Sequence, residues 1–437
     1  MLDLIALIVP WLNNFRQPSN SLKPLELLPW QETAIFTLPP GSDDRLAWLE
    51  SNRLTESIVR TYLQNLASQG INSEKQGIWV QSDWVSVVSN QGTTALPAAS
   101  LTKIATTLTA LGKWEANHQF ITNIYLTGEI KNGVVRGDLI VEGSGDPLFV
   151  WEEAIALGNK LNQLGIRQVQ GDLLVTDRFY MNYQAQAQVA GKLLKQGLDR
   201  KLWQSEITQQ YLQMPPGTAQ PEVAIAGGIK LIAQVPATAQ LIVNHQSLPL
   251  AEILRQMNIY SNNKMAQILA DLAGGATNVA QYAAEQANFA LTEIELINGS
   301  GLGEENRISP RAVCQMLMAI DRLLEDNALS VVDLFPTAGR DLVGTVQDRG
   351  LPPGTTVKTG TLDNVSALAG VISTSDRGKV YFVIINNGRQ VKYFRQQQDQ
   401  LLNELVQTWQ LIPYNVDLAQ KNDWYLGDPQ RNLIQGE

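Results

Sequence analysis

The feature that most constrains this chain is a repeated strand-forming segment in its middle. The letters GDLIV at residues 137–141 recur as GDLLV at residues 171–175, 34 positions later. Between them, residues 152–164 space their apolar side chains as a helix does. This is a strand–helix–strand unit, and the absence of a helix–turn–helix pattern at this period excludes a helical repeat array. We predict that residues 126–240 form a smaller α/β domain inserted into a larger one.

The segments on either side of the insert supply the larger domain, as a first half at 43–125 and a second half at 241–412. Apolar periodicity and helix-start signals such as Ser309-Pro310 define its helices. We predict helices at residues 44–66, after Pro97, and at 248–257, 263–272, 279–289, 310–324 and 391–409. We predict strands in a hairpin at 77–92 and at 355–361, 367–373 and 380–386.

The two ends of the chain carry weaker signals. Residues 1–42 are predicted to be a leader, and residues 413–437 a C-terminal tail without a clear pattern. The apolar run MLDLIALIVPWL is too short to span a bilayer. It is an atypical signal peptide, because Asp3 replaces the expected basic region, the first basic residue is Arg16 and no A-x-A-like site follows. Packing of this run against the folded body is the alternative.

Charge and metal-ligand content exclude several functions. The net charge is −9, from 33 basic and 42 acidic residues, which argues against a nucleic-acid partner. A single cysteine, Cys314, excludes an intramolecular disulfide and a cysteine-cluster metal site, and its apolar neighbours favour a buried small side chain. The two histidines, His118 and His245, form no HExxH motif. We expect no metal and no cofactor.

Three short motifs carry the chemistry. Ser100 and Lys103 are three positions apart near a predicted helix start, so their side chains share one face. A serine hydroxyl needs a nearby base to act as a nucleophile, and Lys103 can be that base if its pKa is lowered. Ser261 and Asn263 stand between two predicted helices and offer a hydroxyl and an amide.

The third motif, Lys358-Thr359-Gly360, lies on a predicted strand. Its lysine supplies a positive charge, its threonine a hydroxyl, and its glycine leaves room for a substrate backbone along the strand edge. If Lys103 and Lys358 enter one cleft, each cation lowers the pKa of the other. Each motif alone is weak, since solvated Ser and Lys side chains would also explain it, but their order and their placement on helix and strand reinforce one another.

Two other patterns have simpler explanations. The glycine-rich residues 299–303 are not followed by Lys-Ser or Lys-Thr, so we expect a tight turn beside the cleft rather than a phosphate-binding loop. Asp138 and Asp172 precede the two repeated strands, and we interpret them as turn residues rather than as a pair of catalytic acids.

The order S-x-x-K, S-x-N, K-T-G resembles that of the penicillin-binding proteins and serine β-lactamases. Four flanking segments narrow the resemblance to the D-alanyl-D-alanine carboxypeptidase/endopeptidase family of class C penicillin-binding proteins, serine peptidase family S13. The segments are LPAASLTKIATTLTAL at 96–111, GDLIVEGSGDPLF at 137–149, NGSGLGEENRISP at 298–310 and VKTGTLDNVSALAGVI at 357–372. The similarity covers roughly residues 45–410.

The resemblance implies a fold and a reaction. The fold is an α/β (α+β) domain of the penicillin-binding-protein and serine β-lactamase type, with an antiparallel sheet flanked by helices and an inserted smaller domain. The reaction is D-Ala-D-Ala carboxypeptidase hydrolysis through a Ser100 acyl-enzyme, with DD-endopeptidase action as a second activity. The implied partners are peptidoglycan peptides and β-lactam antibiotics, and the implied location is the periplasm or cell envelope.

The same resemblance assigns roles to individual residues. The backbone N–H groups of Ser100 and Thr361 would stabilise the oxyanion, and Ser261 would relay a proton to the leaving amine. Asn263 would hold the amide of the penultimate residue. The side chains that would hold the terminal carboxylate are Lys358 and Thr359.

The chain departs from the family pattern in three places. Only 158 positions separate Lys103 from Ser261, so we expect a reduced insert. Residues 338–349 contain extra positions, and Asn298 stands where Asp is usual. Two alternatives stay open at this point: a non-catalytic cell-wall binding or scaffold protein that keeps the fold, and a β-lactamase.

Overall fold

The computed structural model describes residues 45–83, 85–412 and 424–435. The predicted leader therefore lies outside the described residues. The helices are α1 (Arg45–Ser68), α2 (Thr102–Trp114), α3 (Trp151–Gln163), α4 (Ala187–Leu198), α5 (Ser205–Tyr211), α6 (Leu250–Ile259), α7 (Asn263–Leu272), α8 (Ala276–Gln286), α9 (Pro310–Leu324), α10 (Val331–Leu334) and α11 (Val391–Val406).

The strands lie on both sides of the insert and within it. They are β1 (Gln76–Ser82), β2 (Ser86–Asn90), β3 (Leu96–Pro97), β4 (Ile121–Leu126), β5 (Ile130–Lys131), β6 (Val134–Val135), β7 (Leu139–Gly143), β8 (Gln168–Val169), β9 (Leu173–Val175), β10 (Ala224–Ile225), β11 (Ile229–Leu231), β12 (Gln240–Gln246), β13 (Ile294–Glu295), β14 (Arg307–Ile308), β15 (Thr356–Leu362), β16 (Val365–Thr374), β17 (Gly378–Asn387) and β18 (Asn432–Ile434).

The main sheet is antiparallel and has the strand order β15-β16-β17-β1-β2. Residues of α1 and α11 pack on one face, where Phe382 and Ile384 lie in the core. Residues of α2 and of α6 to α9 pack on the other face, where Val383 and Ile385 lie. Because alternate residues of a strand point to opposite faces, both sides of this sheet are apolar and covered. This confirms the predicted antiparallel sheet flanked by helices, and it leaves β15 as an edge strand.

The helix that follows Ser100 runs through the core. Residues Thr102 to Leu111 of α2 are all buried, although four of them are threonines. Two of these hydroxyls donate within the core: Thr106 Oγ1 donates to the Gly299 carbonyl over 2.7 Å and Thr109 Oγ1 to that of Ala105 over 2.9 Å. The Thr106 bond therefore ties α2 to Gly299, nearly two hundred positions away in the chain.

The inserted region is built on a six-stranded sheet with the order β11-β9-β7-β4-β12-β18. Strands β7 and β9, the two repeated segments, pair in parallel as the strand–helix–strand prediction requires, with α3 between them. The sheet begins at Ile121 and includes Gln246, so it continues past both limits of the predicted insert at 126–240. The division of the chain into domains at these limits stays a prediction.

The structure reveals a third copy of the repeat at β10 and β11. Asp138 Oδ1 accepts from the Asp172 N–H over 2.7 Å, and Asp172 Oδ1 accepts from the Gly228 N–H over 2.8 Å. Each aspartate thus links one turn to the next, which confirms that both are turn residues. The third copy was not recognised in the sequence because Gly228 stands where the other copies have Asp.

The predicted tail at 413–437 contains a strand in the part that the structure describes. Residues 432–434 form β18, which pairs with β12. The guanidinium of Arg431 is buried against Glu153, with Nη2 2.5 Å from Oε1, and Nη1 donates to the Gln246 carbonyl over 2.8 Å. His245 is fully buried in this cluster, its Nδ1 lies 3.0 Å from Asn432 Oδ1, and burial lowers its pKa. The end of the described chain therefore completes the insert's sheet.

Two smaller predictions can be checked in the described residues. Cys314 is free and buried, and burial raises the pKa of its thiol, so it acts as a small core side chain. Within the ranges that the structure describes, none of the helices combines the length and apolar character that a membrane span needs.

Candidate active site

The candidate nucleophile lies on a tight turn at the start of α2. Ser100 belongs to the 3₁₀ turn Ala99–Leu101, which leads directly into α2. Ala99 has φ 47°, the left-handed region that non-glycine residues rarely adopt. Ala99 and Leu101 are buried on either side, while Ser100 is partly exposed. The turn thus presents the serine hydroxyl at the surface of a cleft. The backbone strain of the turn lies at Ala99.

Lys103 lies next to that hydroxyl and is itself buried. Its Nζ is 3.0 Å from Ser100 Oγ, 2.7 Å from Asn263 Oδ1 and 2.7 Å from the Ser300 carbonyl oxygen. Burial lowers the pKa of Lys103 to about 7. Near neutral pH a large share of Lys103 is therefore uncharged and can accept a proton.

Lys358 reaches the second motif from strand β15. Its Nζ donates to Ser261 Oγ over 3.0 Å and to the Thr359 carbonyl over 2.7 Å. Burial, and then the charge of Lys103, lower the pKa of Lys358 well below its usual range. The expected effect of one cation on the other is thus present at Lys358, whereas at Lys103 burial is the cause. Ser261 has φ 51° and so sits, like Ala99, in a left-handed turn.

The third motif brings the edge strand against the nucleophile turn. A β-carbon built on Gly360 would lie 3.1 Å from the Ser100 backbone nitrogen and 3.0 Å from the Ala98 carbonyl oxygen. Thr361, one position further, is exposed, and its Oγ1 accepts from Arg395 Nη2 over 2.6 Å. The edge strand therefore packs directly against the serine turn.

The glycine-rich turn at residues 299–303 packs beside this cleft, as predicted. Asn298 Oδ1 accepts from the N–H groups of Ser300 and Gly301, over 3.0 and 2.8 Å. Gly301 has φ 82°, and a β-carbon there would lie 1.8 Å from the Ala99 carbonyl oxygen. Asn298 supplies the acceptor that this turn needs, so Asn in place of Asp keeps the turn and its Ser300 carbonyl in position.

The structure brings the predicted residues together in two linked groups. Ser100, Lys103 and Asn263 share one hydrogen-bonded group, and Ser261 and Lys358 form the other. Thr359 lies between Lys358 and Gly360 on the same strand and is mostly buried. Within the described residues, no cluster of three His, Cys, Asp or Glu side chains is arranged to hold a metal ion.

Two contributors were not predicted. The Ser300 carbonyl, which accepts a hydrogen bond from Lys103, belongs to a segment that the sequence identified only as a turn. Arg395, which donates a hydrogen bond to Thr361, lies in α11. Nothing in its surrounding sequence marks it as part of the cleft. Both contacts join segments far apart in the chain, which local patterns do not reveal.

Comparison with known proteins agrees with this geometry. The family model of the D-Ala-D-Ala carboxypeptidase 3 (S13) family matches residues 59–191 and 184–407, most of the chain. The chain belongs to this family. Membership makes it a serine D-Ala-D-Ala carboxypeptidase, rather than the non-catalytic scaffold considered above.

Individual relatives are distant. The D-alanyl-D-alanine carboxypeptidase DacB of Haemophilus influenzae is 25% identical over 411 residues, covering 69% of this chain and 82% of the relative. The crystal structure of penicillin-binding protein 4 from the same organism has a TM-score of 0.60 at 20% identity and covers 78% of this chain and 99% of that one. A predatory endopeptidase of Bdellovibrio bacteriovorus has a TM-score of 0.68 at 20% identity, covering 82% and 98%. These structures confirm the predicted fold.

Proposed function

We propose that this carboxypeptidase removes the terminal D-alanine from peptidoglycan stem peptides through an acyl-enzyme on Ser100. The observation that carries the proposal is the 3.0 Å contact between Ser100 Oγ and a buried Lys103 whose pKa is about 7. A neutral amine at hydrogen-bond distance is what a serine hydroxyl needs to become a nucleophile.

The acylation step then follows from the positions of these groups. Lys103 takes the proton of Ser100 Oγ as that oxygen attacks the carbonyl carbon of the D-Ala-D-Ala peptide bond. The backbone N–H groups of Ser100 and Thr361 stabilise the oxyanion. Because these donors are fixed in position, they need little reorganisation as the negative charge develops. The C–N bond breaks and Ser261 gives its proton to the departing amine. The proton that Lys103 took from Ser100 then restores the Ser261 hydroxyl.

Deacylation returns the enzyme to its starting state. A water molecule attacks the ester carbonyl, loses a proton to Lys103, and the C–O bond to Ser100 breaks. Ser100 regains its proton, and the shortened peptide leaves with a new carboxylate. A β-lactam carbonyl can enter the same step, since a related Bdellovibrio bacteriovorus endopeptidase is described as penicillin G acylated.

Substrate binding uses the remaining motif residues. Lys358 is buried, and its Nζ lies 3.0 Å from Ser261 Oγ. Its charge therefore meets the terminal carboxylate close to the scissile bond. An anion there raises the pKa of Lys358 and restores its full charge. The hydroxyl of Thr359 donates a hydrogen bond to the same carboxylate. The exposed amide of Asn263 holds the peptide through its Nδ2, while its Oδ1 accepts from Lys103. This substrate places the working enzyme in the cell envelope.

The test is the release of D-alanine from an N-acetylated peptide that ends in D-Ala-D-Ala, measured by coupled oxidation of the product. We expect turnover by the untreated protein and loss of turnover after preincubation with benzylpenicillin. A folded protein that releases no D-alanine, or whose release is insensitive to penicillin, would contradict the proposal. Rapid destruction of the penicillin without lasting inhibition would point to β-lactamase activity instead.

A further inference from the structure

Three large apolar side chains stand in solvent beside the second motif. Leu342 is 76% exposed, Val343 46% and Tyr260 56%. Leu342 and Val343 belong to the segment 338–349, where this chain has extra positions relative to the family pattern. Tyr260 directly precedes Ser261. Exposed apolar side chains are common singly, but a group of them at a functional site indicates a surface that binds something.

The backbone holds Leu342 and Val343 outward from both sides. Before them, Asp341 Oδ1 accepts from Arg255 Nη2 over 2.5 Å and Oδ2 accepts from the Thr337 N–H over 2.8 Å. After them, Gly344 has φ 74° and lies so close to α6 that a β-carbon would be 2.3 Å from the Ile259 carbonyl oxygen. The segment is therefore anchored to the last turns of α6, which lead into Tyr260 and Ser261.

The anchor fixes where these side chains lie relative to the reaction. Ser261 Oγ is 3.0 Å from Lys358 Nζ, at the end of the cleft where the proposed mechanism protonates the departing amine. At the other end of the motif strand, Asn364 Nδ2 donates to Glu304 Oε1 over 3.1 Å, in a turn that also exposes Leu302. Tyr260, Leu342 and Val343 therefore lie on the Ser261 side of the site, where the proposed leaving group departs.

We propose that Tyr260, Leu342 and Val343 form an apolar subsite for the leaving half of a cross-linked peptide. This inference rests on the proposed function and concerns the specificity of the same site. In a cross-link the departing amine is carried on an aliphatic chain of a second peptide, whereas D-alanine offers a single methyl group. Only the larger leaving group has enough apolar surface to gain from burial against these three side chains.

The test compares two substrates in a double variant, Leu342→Ser with Val343→Ser. The first substrate is a linear peptide ending in D-Ala-D-Ala, and the second is a purified cross-linked dimer. We expect kcat/KM on the dimer to fall about tenfold, the loss typical of a weakened apolar pocket, and kcat/KM on the linear peptide to stay within about twofold. Leu212→Ser, at a position 73% exposed in the insert, is the matched control and leaves both unchanged.

Each other outcome overturns the subsite. Equal losses on both substrates would mean that the segment only supports Ser261, and unchanged rates on both would mean that the apolar group serves elsewhere, including contact with a second copy of the chain. A parent enzyme that cleaves the linear peptide but not the dimer would also refute it. Failure of the proposed function itself is distinguishable, because the parent would then release no D-alanine and form no adduct with penicillin.

Discussion

Gly360 lies so close to the turn that carries Ser100 that a methyl group would fit only if its neighbours moved by a few tenths of an ångström. A β-carbon at Gly360 would approach the Ser100 nitrogen to 3.1 Å and the Ala98 carbonyl oxygen to 3.0 Å. The third motif therefore needs glycine so that the edge strand can reach the backbone N–H that we propose as an oxyanion donor.

We predict that Gly360→Ala slows acylation by penicillin about 10- to 100-fold, because it displaces the Ser100 turn by a few tenths of an ångström. The rate of labelling by a fluorescent penicillin measures this. Gly350→Ala is the control, since a β-carbon there would meet only Asp399, at 3.8 Å. Equal labelling rates in the Gly360 variant and the parent would show that the close approach does not matter.

Lys103 should impose a pH dependence on the same reaction. Its pKa is about 7, and only the neutral amine can take the proton of Ser100. As pH rises through 7 the neutral fraction grows, so the acylation rate should increase and then level off at higher pH. Stopped-flow labelling between about pH 5.5 and 9 would follow this. A rate that is flat or falls over that range would remove Lys103 as the base.

The variant Lys103→Arg separates charge from basicity. Arginine keeps a positive charge but remains protonated throughout this pH range. We therefore expect a loss of about 10²- to 10⁴-fold in the acylation rate, the usual contribution of a general base, at every pH tested. Retention of the parent's rate would mean that Lys103 acts only through its charge.

Arg431 should matter for stability rather than for the reaction. Its pair with Glu153 is almost completely buried, at 4% and 2% side-chain exposure. Arg431→Ala leaves the Glu153 carboxylate buried beside a neutral His245, so we predict a loss of about 3–5 kcal/mol in the free energy of unfolding. Chemical denaturation measures it.

The matched control for that variant is Arg200→Ala. Arg200 pairs with Glu222 in the same inserted region, but the pair is exposed at 48% and 37%, so the expected loss is about 0–1 kcal/mol. Similar small losses in both variants would show that the C-terminal strand docks without help from the buried pair.

The sequence predicted those parts of the molecule that local patterns encode. Helix α7, strand β16 and the turn before β17 follow from apolar spacing and turn residues, and the pairing of β7 with β9 follows from their repeated letters. Ser100, Lys103 and Gly360 could be found because their motifs are compact. The family resemblance implied that they meet in one cleft, and in the structure Lys103 Nζ lies 3.0 Å from Ser100 Oγ while Gly360 packs against the Ser100 turn.

What the sequence could not predict depends on contacts across long separations. Strand β18 has three residues, too few for a periodic signal, and forms only because β12 lies open beside it. Arg395 is one of several polar residues on α11 until the fold brings it to Thr361. Leu342 and Val343 lie in the segment 338–349, which the sequence marks as longer than the family pattern, but their exposure results from the anchors at Asp341 and Gly344.

The most direct measurement is the intact mass of the protein after incubation with benzylpenicillin, for the parent and for Ser100→Ala. We predict a single adduct of one penicillin on the parent, located by peptide mapping at Ser100. The Ser100→Ala variant should carry no adduct while its melting temperature equals that of the parent. An unmodified parent, or an adduct of equal yield on the Ser100→Ala variant, would contradict the claim that Ser100 is the nucleophile.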